Sequence, residues 1–274
     1  MRYCRFRFQN EVLYGKVEAR GGEPWIVDLA HAPEEDLEFR VRHQHALPAI
    51  LDFEPLALAS AELLAPVTPS KIVCVGRNYR DHAKELGNEI PAEPLLFFKP
   101  PSSLLGHKGV VMMPPSSERV DFEGELALVI GKRATKLPPD ADWKSYIRGY
   151  TIANDVTARD LQKKDGQWTR AKGFDTFCPV GPVVSNEVDL EEGLMVETRL
   201  NGELKQNGST LDFIFSIPVL LSYITAAITL EVGDLLLTGT PAGVCPVASG
   251  DVVEVSVKGL GILSNAFAAG PKQP

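Results

Sequence analysis

Short apolar segments separated by glycine- and proline-rich turns are the feature that most restricts the fold of this chain. The first 30 residues show the pattern, with strand-like segments at Tyr3–Phe8, Val12–Glu18 and Trp25–Leu29 and a turn at Gly21-Gly22. The 23 glycines and 21 prolines are spread over all 274 residues and follow no collagen-like period. Predicted strands outnumber predicted helices, and regular β-α-β units are few. The sequence therefore predicts a β-rich α+β fold built as a mixed β-sandwich or roll.

Further strands are predicted where apolar and β-branched residues cluster between turn residues. They are Lys71–Val75, Leu95–Lys99, Val110–Met113, Val120–Ile130, Arg148–Val156, Asp234–Leu237 and Asp251–Val257. Met195–Leu200 and Glu203–Gln206 are predicted to form a hairpin, because Asn201-Gly202 between them is a favoured two-residue turn.

Four segments are predicted as helices, namely Ala57–Leu64, Tyr79–Leu86, Thr157–Lys164 and Ser216–Ala227. Gly87 is expected to stop the second helix, and Thr157 and Ser216 are plausible N-caps. The proline-containing segment Ala65–Ser70 is predicted as a linker. It divides the chain into a small β-containing N-terminal domain, residues 1–66, and a larger domain, residues 67–274.

The charge balance limits the classes of partner. With 28 Lys and Arg against 36 Asp and Glu, the formal net charge is −8, which argues against nucleic acid and anionic membrane surfaces. The longest uncharged stretch, Phe213–Leu230, contains Pro218 and several hydroxyl residues and is a poor membrane span. The N-terminus lacks an apolar run of signal-peptide length, and the four cysteines form no C-x-x-C pair. These features predict a cytoplasmic protein with reduced thiols.

Carboxylates at alternate positions are the strongest chemical signal. Asp121, Glu123 and Glu125 would share one face of a strand, and Asp155 follows an apolar strand and precedes a helix. Three carboxylates without a nearby Cys or His favour a hard cation such as Mg²⁺ or Mn²⁺. The alternatives are a solvated acidic strand face, and helix capping by Asp155 or Thr157.

Three further segments carry reactive side chains. His82 and Glu85 are neighbours at i and i+3 of a predicted helix, the spacing of a general-base pair, although a charged surface helix would look the same. Lys172 lies in a predicted loop among aromatic residues. The glycine-containing loop Leu237–Val244 follows a strand and could offer backbone N–H groups to an anion.

Taken in order, seven segments resemble the fumarylacetoacetate hydrolase superfamily, most closely its acylpyruvase and 2-hydroxyhepta-2,4-diene-1,7-dioate isomerase-like branch. They are GRNYRDHAKE, the D-x-E-x-E run, NDVTARDLQ, AKGFDTFCP, NGELKQ, FSIP and LTGTPAGV, and they cover roughly residues 70 to 267. The resemblance implies the β-sandwich roll of this superfamily's C-terminal domain, one Mg²⁺ or Mn²⁺ ion per chain, and a homodimer.

The same resemblance implies roles for individual residues. It gives Glu123, Glu125 and Asp155 as metal ligands, and Asp121 as a supporting residue. It implies catalytic roles for His82, Glu85 and Lys172, and it gives Arg159, Gln162 and Thr240 as substrate-contacting positions.

The expected activity is metal-dependent hydrolysis of a C–C bond in acylpyruvate-like 2,4-diketo acids, through an enolate. In this mechanism His82, oriented by Glu85, activates water, and Lys172 adds positive charge near the developing oxyanion. Two alternatives use the same enolate, namely an oxaloacetate-type decarboxylase and a 2-hydroxy-dienoate isomerase. An alternative of another class is a non-catalytic, metal-stabilised binding protein.

Overall fold

The computed structural model describes residues 1–34, 36, 41, 53–85 and 89–271. The strands are β1 (Arg2–Phe8), β2 (Glu11–Arg20), β3 (Glu23–Ala30), β4 (Leu56–Ala57), β5 (Glu62–Leu64), β6 (Ile72–Gly76), β7 (Leu95–Lys99), β8 (Leu104–Leu105), β9 (Val110–Met113), β10 (Val120–Asp121), β11 (Gly124–Ile130), β12 (Ile147–Asn154), β13 (Thr157–Ala158), β14 (Cys178–Ser185), β15 (Met195–Leu200), β16 (Glu203–Ser209), β17 (Leu235–Leu237), β18 (Val252–Val257) and β19 (Gly261–Ala269). The α-helices are α1 (Arg80–Glu85), α2 (Arg159–Asp165), α3 (Thr169–Gly173) and α4 (Ile217–Ala227), and 3₁₀ turns cover Leu58–Ser60, Pro101–Ser103, Trp143–Tyr146 and Thr210–Asp212.

A large mixed sheet forms the body of the molecule. Its strands run in the order β4-β3-β2-β1-β14-β12-β11-β17-β6-β7, with β5 beside β1 and β8 beside β14. Strand β1 pairs with β14 on one side and with β2 on the other, so the N-terminal strands extend the sheet that holds the rest of the chain. The domain boundary near residue 66 stays a prediction.

A second sheet covers one face of the first. Its strands run β16-β15-β18-β19-β9, and alternate residues of both sheets form one apolar cluster. Leu126, Leu128 and Ile130 enter this cluster from β11, opposite Val253 and Val255 of β18. Helix α4 closes the same cluster, because its buried residues Ile217, Leu220, Leu221 and Ile224 follow the i, i+3, i+4, i+7 spacing of one helix face.

The other face of the large sheet has its own core. Ala127 and Val129 of β11 point into it, together with Phe6 of β1, Ile26 of β3 and Ile72 of β6. These strands are far apart in the sheet order, which indicates that the sheet rolls around this cluster. Because β11 is buried on both faces, its sequence reads as a nearly continuous apolar run. The predicted β-rich α+β fold is confirmed.

The hairpin prediction is also confirmed. Leu200 pairs with Glu203, and Asn201 and Gly202 between them have φ angles of +52° and +84°. Positive φ at both turn residues is what the favoured two-residue turn requires. None of the helices in the described part of the chain is long and apolar enough to cross a membrane.

The helix predicted over Ala57–Leu64 is wrong. Leu56–Ala57 pairs with β3, Glu62–Leu64 pairs with β1, and a 3₁₀ turn joins them. The segment contains good helix formers, but strand pairing buries Leu58 and Leu63 in the second core. Tertiary contacts therefore override the local propensity.

Two boundaries near the predicted acidic motif also differ from expectation. The strand predicted over Val120–Ile130 is two strands, because β10 ends at Asp121 and β11 begins at Gly124. Between them, the N–H of Glu123 donates to the side-chain oxygen of Asn154 instead of to a strand partner. Thr157 is not the N-cap of α2: it lies in β13, its hydroxyl donates to the carbonyl of Asp155, and the cap is Ala158.

Other elements were not predicted. Strand β14 is long and buried throughout, β19 is long and buried at alternate positions, and the segment predicted as a loop around Lys172 contains the short helix α3. The predicted helix ending at Leu86 and its stop at Gly87 lie partly outside the described residues, and α1 is described to Glu85.

Candidate active site

Three buried carboxylates meet at one end of the antiparallel β11–β12 pair. Glu123 and Glu125 flank Gly124, the first residue of β11, and Asp155 directly follows β12. The pairing of Gly124 with Asn154 brings the two segments side by side, and the N–H of Asp155 donates to the carbonyl oxygen of Glu123 at 2.8 Å. One oxygen atom from each of the three carboxylates lies within 4.8 Å of the other two. We call these three side chains the acidic trio.

Asp121 lies outside the acidic trio although it belongs to the same sequence motif. Its carboxylate accepts N–H donors from Arg119 at 2.8 Å and from Arg159 at 2.8 Å. Arg159 also donates to Glu123. The break after β10 separates Asp121 from Glu123 and Glu125. Asp121 therefore positions Arg159, which is a cation of the site.

Buried lysines also contact the acidic trio. The Nζ atom of Lys172, on α3, lies 2.8 Å from a carboxylate oxygen of Glu123 and 2.5 Å from one of Asp155. Lys99, at the end of β7, donates to the other oxygen of Asp155 at 2.6 Å and to the carbonyl of Val156 at 3.1 Å. Lys99 is only 1% exposed. Sequence reasoning missed it, because a lysine at the end of an apolar strand is usually solvated.

The electrostatics of the acidic trio are uneven. Burial raises the pKa of Glu123, but the positive charges of Lys172 and Arg159 outweigh this effect, so the pKa is below its ordinary value. Glu125 has the opposite shift, since burial and then the charges of Asp155 and Glu123 raise its pKa well above the ordinary value. Burial lowers the pKa of Lys172, but Asp155 and Glu123 outweigh this and leave it raised. Glu123 and Asp155 are therefore paired with side-chain cations, and Glu125 is not.

The glycine loop predicted to bind an anion binds carboxylates of the protein itself. The N–H of Gly239 donates to Glu125 at 2.7 Å, and the N–H of Gly243 lies 3.1 Å from each carboxylate oxygen of Glu85. Between these glycines, the hydroxyl of Thr240 donates to the carbonyl of Gly124 at 2.8 Å. This loop therefore fixes residues on both sides of the site.

Gln206 of β16 is a second residue that sequence reasoning missed. It accepts the N–H of Gly124 at 2.9 Å and donates to Thr240 at 2.7 Å and to the carbonyl of Pro241 at 2.8 Å. It lies in the NGELKQ segment, which carries part of the family resemblance but implies no role for this residue.

His82 and Glu85 lie on α1 as their spacing predicts. The Nδ1 atom of His82 is 3.4 Å from a carboxylate oxygen of Glu85, and Nδ1 has no hydrogen-bond partner among the described residues. The ring is 4% exposed. Burial lowers the pKa of His82 against the opposing effects of Glu123 and Glu85, so the ring is neutral near pH 7 and can accept a proton.

A cavity of about 330 Å³ connects these groups. It is lined by the acidic trio, by the predicted residues His82, Arg159, Gln162, Lys172 and Thr240, and by Val75, Gly76, Arg77, Phe97, Lys163 and Trp168. Glu85 is the one predicted site residue that does not line it. Gln162 accepts an N–H of Arg159 at 2.7 Å, which links two of the predicted substrate-contacting positions.

The acidic trio is chemically suited to a divalent cation. All three groups are oxygen donors, they converge, and they are buried, which is costly for three anions unless positive charge compensates them. Each carboxylate oxygen has two lone-pair sites, so the contacts with Lys172, Lys99 and Arg159 leave acceptor capacity free. The trio could therefore hold Mg²⁺ or Mn²⁺, and the geometry does not favour one of these ions.

Comparison with known families identifies the fold. Residues 71–268 match the model of the fumarylacetoacetate (FAA) hydrolase C-terminal domain. The chain belongs to the fumarylacetoacetate hydrolase family. The matched range begins at the strand that precedes the GRNYRDH motif and ends within β19, so it contains every residue of the acidic trio and its cations.

Family members with assigned activities are similar to this chain. The oxaloacetate tautomerase YisK of Bacillus subtilis is 45% identical over 223 residues, which are 76% of this chain and 74% of that protein. The mitochondrial oxaloacetate decarboxylase of Dictyostelium discoideum is 46% identical over 202 residues, 70% of this chain and 91% of that protein.

Solved structures of the family give the same relationship. The 2-hydroxyhepta-2,4-diene-1,7-dioate isomerase of Mycobacterium marinum is 38% identical, with a TM-score of 0.83 over 99% of this chain and 100% of that chain. Fumarylpyruvate hydrolase of Pseudomonas aeruginosa, solved with Mn²⁺ and pyruvate, is 30% identical, with a TM-score of 0.69 over 75% of this chain and 91% of that chain.

Proposed function

We propose that this protein enolises a 2-oxo acid in a divalent-metal-dependent reaction at the acidic trio. The observation that carries the proposal is the buried group of Glu123, Glu125 and Asp155 with the Lys172 ammonium beside two of them, on a cavity of substrate size. Mg²⁺ or Mn²⁺ bound there would act as a Lewis acid and polarise the 2-oxo group.

The side chains of the protein supply the rest of the chemistry. Lys172 is charged, because its carboxylate partners raise its pKa, and it adds positive charge next to the oxygen that becomes negative in the enolate. His82 is neutral and lines the same cavity. It can take the proton that leaves C3 and return it, with Glu85 holding the α1 segment in place through Gly243.

The names of the relatives support enolisation as the shared step. A tautomerase moves a proton between C3 and the 2-oxo oxygen, a decarboxylase reaches the enolate by losing CO₂, and an isomerase reprotonates it elsewhere. The two relatives named for oxaloacetate are 45% and 46% identical to this chain. We therefore favour tautomerisation or decarboxylation of an oxaloacetate-type acid.

Oxaloacetate supplied with Mg²⁺, with Mn²⁺ or with chelator tests the proposal. We expect loss of the enol absorbance and exchange of the C3 protons with deuterium, measured by NMR, to accelerate only with metal. Lys172→Met should slow both processes at least tenfold. Release of CO₂, followed in parallel, separates decarboxylation from tautomerisation. Exchange that proceeds equally fast with chelator present would overturn the proposal.

A second candidate is hydrolysis of a C–C bond in an acylpyruvate, the activity expected from the sequence, and the buried His82 near Glu85 favours it. His82 would deprotonate a water molecule, which adds to the distal carbonyl, and the C–C bond would break to release an enolate. Release of pyruvate from acetylpyruvate or fumarylpyruvate is the measurement. If His82→Ala abolishes hydrolysis and spares oxaloacetate decarboxylation, which removes no proton from C3, the role of His82 as the base in hydrolysis is supported. Equal loss of both indicates a structural role for α1.

A non-catalytic, metal-stabilised binding protein is the contrasting proposal. It would show a Mn²⁺-induced rise in Tm and no turnover of any 2-oxo acid in the panel. We further propose a homodimer in the cytoplasm. Mass measurement by light scattering tests the oligomeric state.

A further inference from the structure

Arg77 has an unusual backbone at the edge of the candidate active site. It follows β6 and has φ of +57°, in the left-handed region that favours glycine and asparagine. Its side chain is half-buried and lines the cavity. A long side chain in this conformation costs backbone energy, and such strain is concentrated at functional sites.

Lys163 is a second cation of the same cavity. It lies on α2 and is exposed at the opening. The other cations that line the cavity, Arg159 and Lys172, are committed to carboxylates of the protein. No acidic side chain lies within ion-pair distance of Arg77 or Lys163 among residues 1–34, 36, 41, 53–85 and 89–271. These two cations are therefore available to a ligand.

The cavity has two chemically different ends. At the buried end the acidic trio would hold the cation that binds the 2-oxo carboxylate. Phe97 and Trp168 form an apolar wall, with ring centroids 5.2 Å apart. Trp168 also packs close to Gly76, where any Cβ atom would lie 3.0 Å from its ring. A ligand with its reactive group at the buried end therefore directs its remaining atoms along this wall toward the unpaired cations.

The net charge of the cavity indicates which chemical group those atoms of the ligand form. Four cationic side chains and three carboxylates line the cavity, which leaves an excess of one positive charge. A divalent cation raises the excess to three. One carboxylate on the substrate leaves most of this charge uncompensated, whereas a second carboxylate can accept hydrogen bonds from a guanidinium in a bidentate arrangement.

We propose that Arg77, assisted by Lys163, binds a second carboxylate of the substrate and makes the site selective for dicarboxylic over monocarboxylic 2-oxo acids. The inference rests on the proposed function and specifies its substrate class. Arg77 is then a specificity residue at the end of the substrate away from the metal, and it takes no part in proton transfer.

Oxaloacetate and 2-oxobutanoate are the test pair, because they share the 2-oxo carboxylate and an enolisable C3 and differ by a carboxylate against a methyl group. We expect the Mg²⁺-loaded wild-type protein to prefer oxaloacetate at least 100-fold in kcat/KM for C3 proton exchange. Arg77→Gln should raise the KM for oxaloacetate 10- to 100-fold, change its kcat less than threefold, and leave 2-oxobutanoate within twofold. Lys163→Gln should raise the oxaloacetate KM three- to tenfold.

Matched controls lie within three residues of the two cations in the chain. Lys164→Gln and Arg80→Gln remove exposed cations that do not line the cavity, and they should leave both substrates unchanged. Arg77→Gly removes the side chain and relieves the positive φ, so it should fold at least as well as wild type and still lose the preference for oxaloacetate. Equal losses for both acids, or no change for either, would overturn the assignment.

Failure of the proposed function gives a different result. In that case the wild-type protein exchanges protons of neither acid, and calorimetric binding in Mg²⁺ buffer decides instead. Tighter binding of oxaloacetate than of 2-oxobutanoate, lost in Arg77→Gln and kept in Arg80→Gln, supports the anion site independently of catalysis. Equal binding of the two acids overturns it.

Discussion

Charge balance at the candidate site differs from one carboxylate to the next. Asp155 is contacted by two buried lysines, Lys99 and Lys172. Glu125 accepts the N–H of Gly239, and no cationic side chain bonds to it in the described part of the chain. Both side chains are almost fully buried. Loss of charge at these two positions should therefore have opposite effects on the metal-free protein.

Glu125→Gln should not destabilise the metal-free protein. Burial and the charges of Asp155 and Glu123 raise the pKa of Glu125 and so disfavour its ionised form without metal; the neutral amide avoids this cost, and its oxygen can still accept the N–H of Gly239. The Tm without metal should stay the same or rise, and the Mn²⁺-induced rise in Tm should disappear. Thermal unfolding with and without Mn²⁺ measures both effects.

Asp155→Asn is the matched comparison for that variant. It leaves Lys99 and Lys172 without a full counter-charge, and an uncompensated buried charge costs about 3–5 kcal/mol. We expect a large fall in Tm without metal and no Mn²⁺ response. Equal Tm values for the two variants would show that the lysines do not depend on Asp155.

The contact of His107 with Ser264 is expected to be sensitive to acid, and His107 does not line the cavity. Its Nδ1 accepts the N–H of Ser264 at 3.1 Å, and burial, with a smaller effect of Lys108, lowers its pKa to about 4. The unfolded chain, with an ordinary histidine pKa of about 6.5, therefore binds this proton first. The stability contributed by the neutral ring is present above pH 6.5 and is lost as the pH falls toward 4.

His107→Asn tests this contact, because asparagine keeps an acceptor for Ser264 and does not titrate. Denaturant unfolding at pH 7 and pH 4.5 gives the free energies. We expect wild type to lose about 1–2 kcal/mol more than the variant between the two pH values, less than the full pKa shift would give because the ring is partly exposed. His82 is present in both proteins, so its contribution cancels. Equal losses would assign the acid sensitivity elsewhere.

Side chains of the site were predictable where the sequence brings them close, and otherwise not. Glu123 and Glu125 are two residues apart on a strand-like segment, and Asp155 ends the neighbouring strand, so local spacing made them candidates and the family resemblance separated them from Asp121. Lys99 reaches Asp155 from β7, and nothing near it in the sequence marks the acidic trio, so only the order of strands in the sheet brings the two together. Arg77 lines the cavity and belongs to the same segment as His82, but its type and position gave no reason to assign it a role.

At the scale of elements, the loop between β17 and β18 holds the site together through its glycines. Gly243 has φ of +103°, and a Cβ atom there would collide with the carbonyl oxygen of Lys205. Its N–H also holds Glu85. Gly243→Ala should therefore destabilise the protein by at least about 2 kcal/mol and displace α1, while the Mn²⁺ response of the acidic trio persists.

Gly250→Ala is the control for that experiment, because it measures the cost of a positive φ without a steric collision. Gly250 has a similar φ, +98°, and a Cβ atom added there would have no other atom within 4 Å. The substitution should cost only about 1 kcal/mol. Denaturant unfolding of the two variants gives the comparison, and equal costs would mean that the Lys205 carbonyl moves aside easily.

Elements were predicted well where one local rule decides, and poorly where pairing decides. The Asn-Gly hairpin follows from turn chemistry, and helix α4 follows from Ser216 at its start and Pro218 in its first turn. The segment Ala57–Leu64 has helical propensity but is held by β1 and β3, which lie about 50 and 30 residues earlier. The break between β10 and β11 depends on the side chain of Asn154. Neither the pairing of Ala57–Leu64 nor the break between β10 and β11 can be predicted from the neighbouring residues alone.

For the whole molecule, the sequence predicts two domains, whereas the large sheet is continuous across the predicted boundary. Phe6 of β1 and Val180 of β14 belong to one buried cluster, together with Cys74 and Cys178. Burial raises the pKa of Cys178 to about 12, so its thiol is unreactive while this core is intact. A continuous sheet predicts that both segments unfold together.

Phe6→Ala tests this cooperativity, because Phe6 is fully buried in the N-terminal part of the shared core. We expect a loss of about 3–5 kcal/mol, a single calorimetric transition, and labelling of Cys74 and Cys178 that rises in step with it, as mass spectrometry would show. Phe8→Ala, at a half-buried position of the same strand, is the control and should cost less. If an early transition appears while both thiols stay protected, residues 1–66 unfold as a separate domain, and the sheet junction between β1 and β14 is a weak contact between two units.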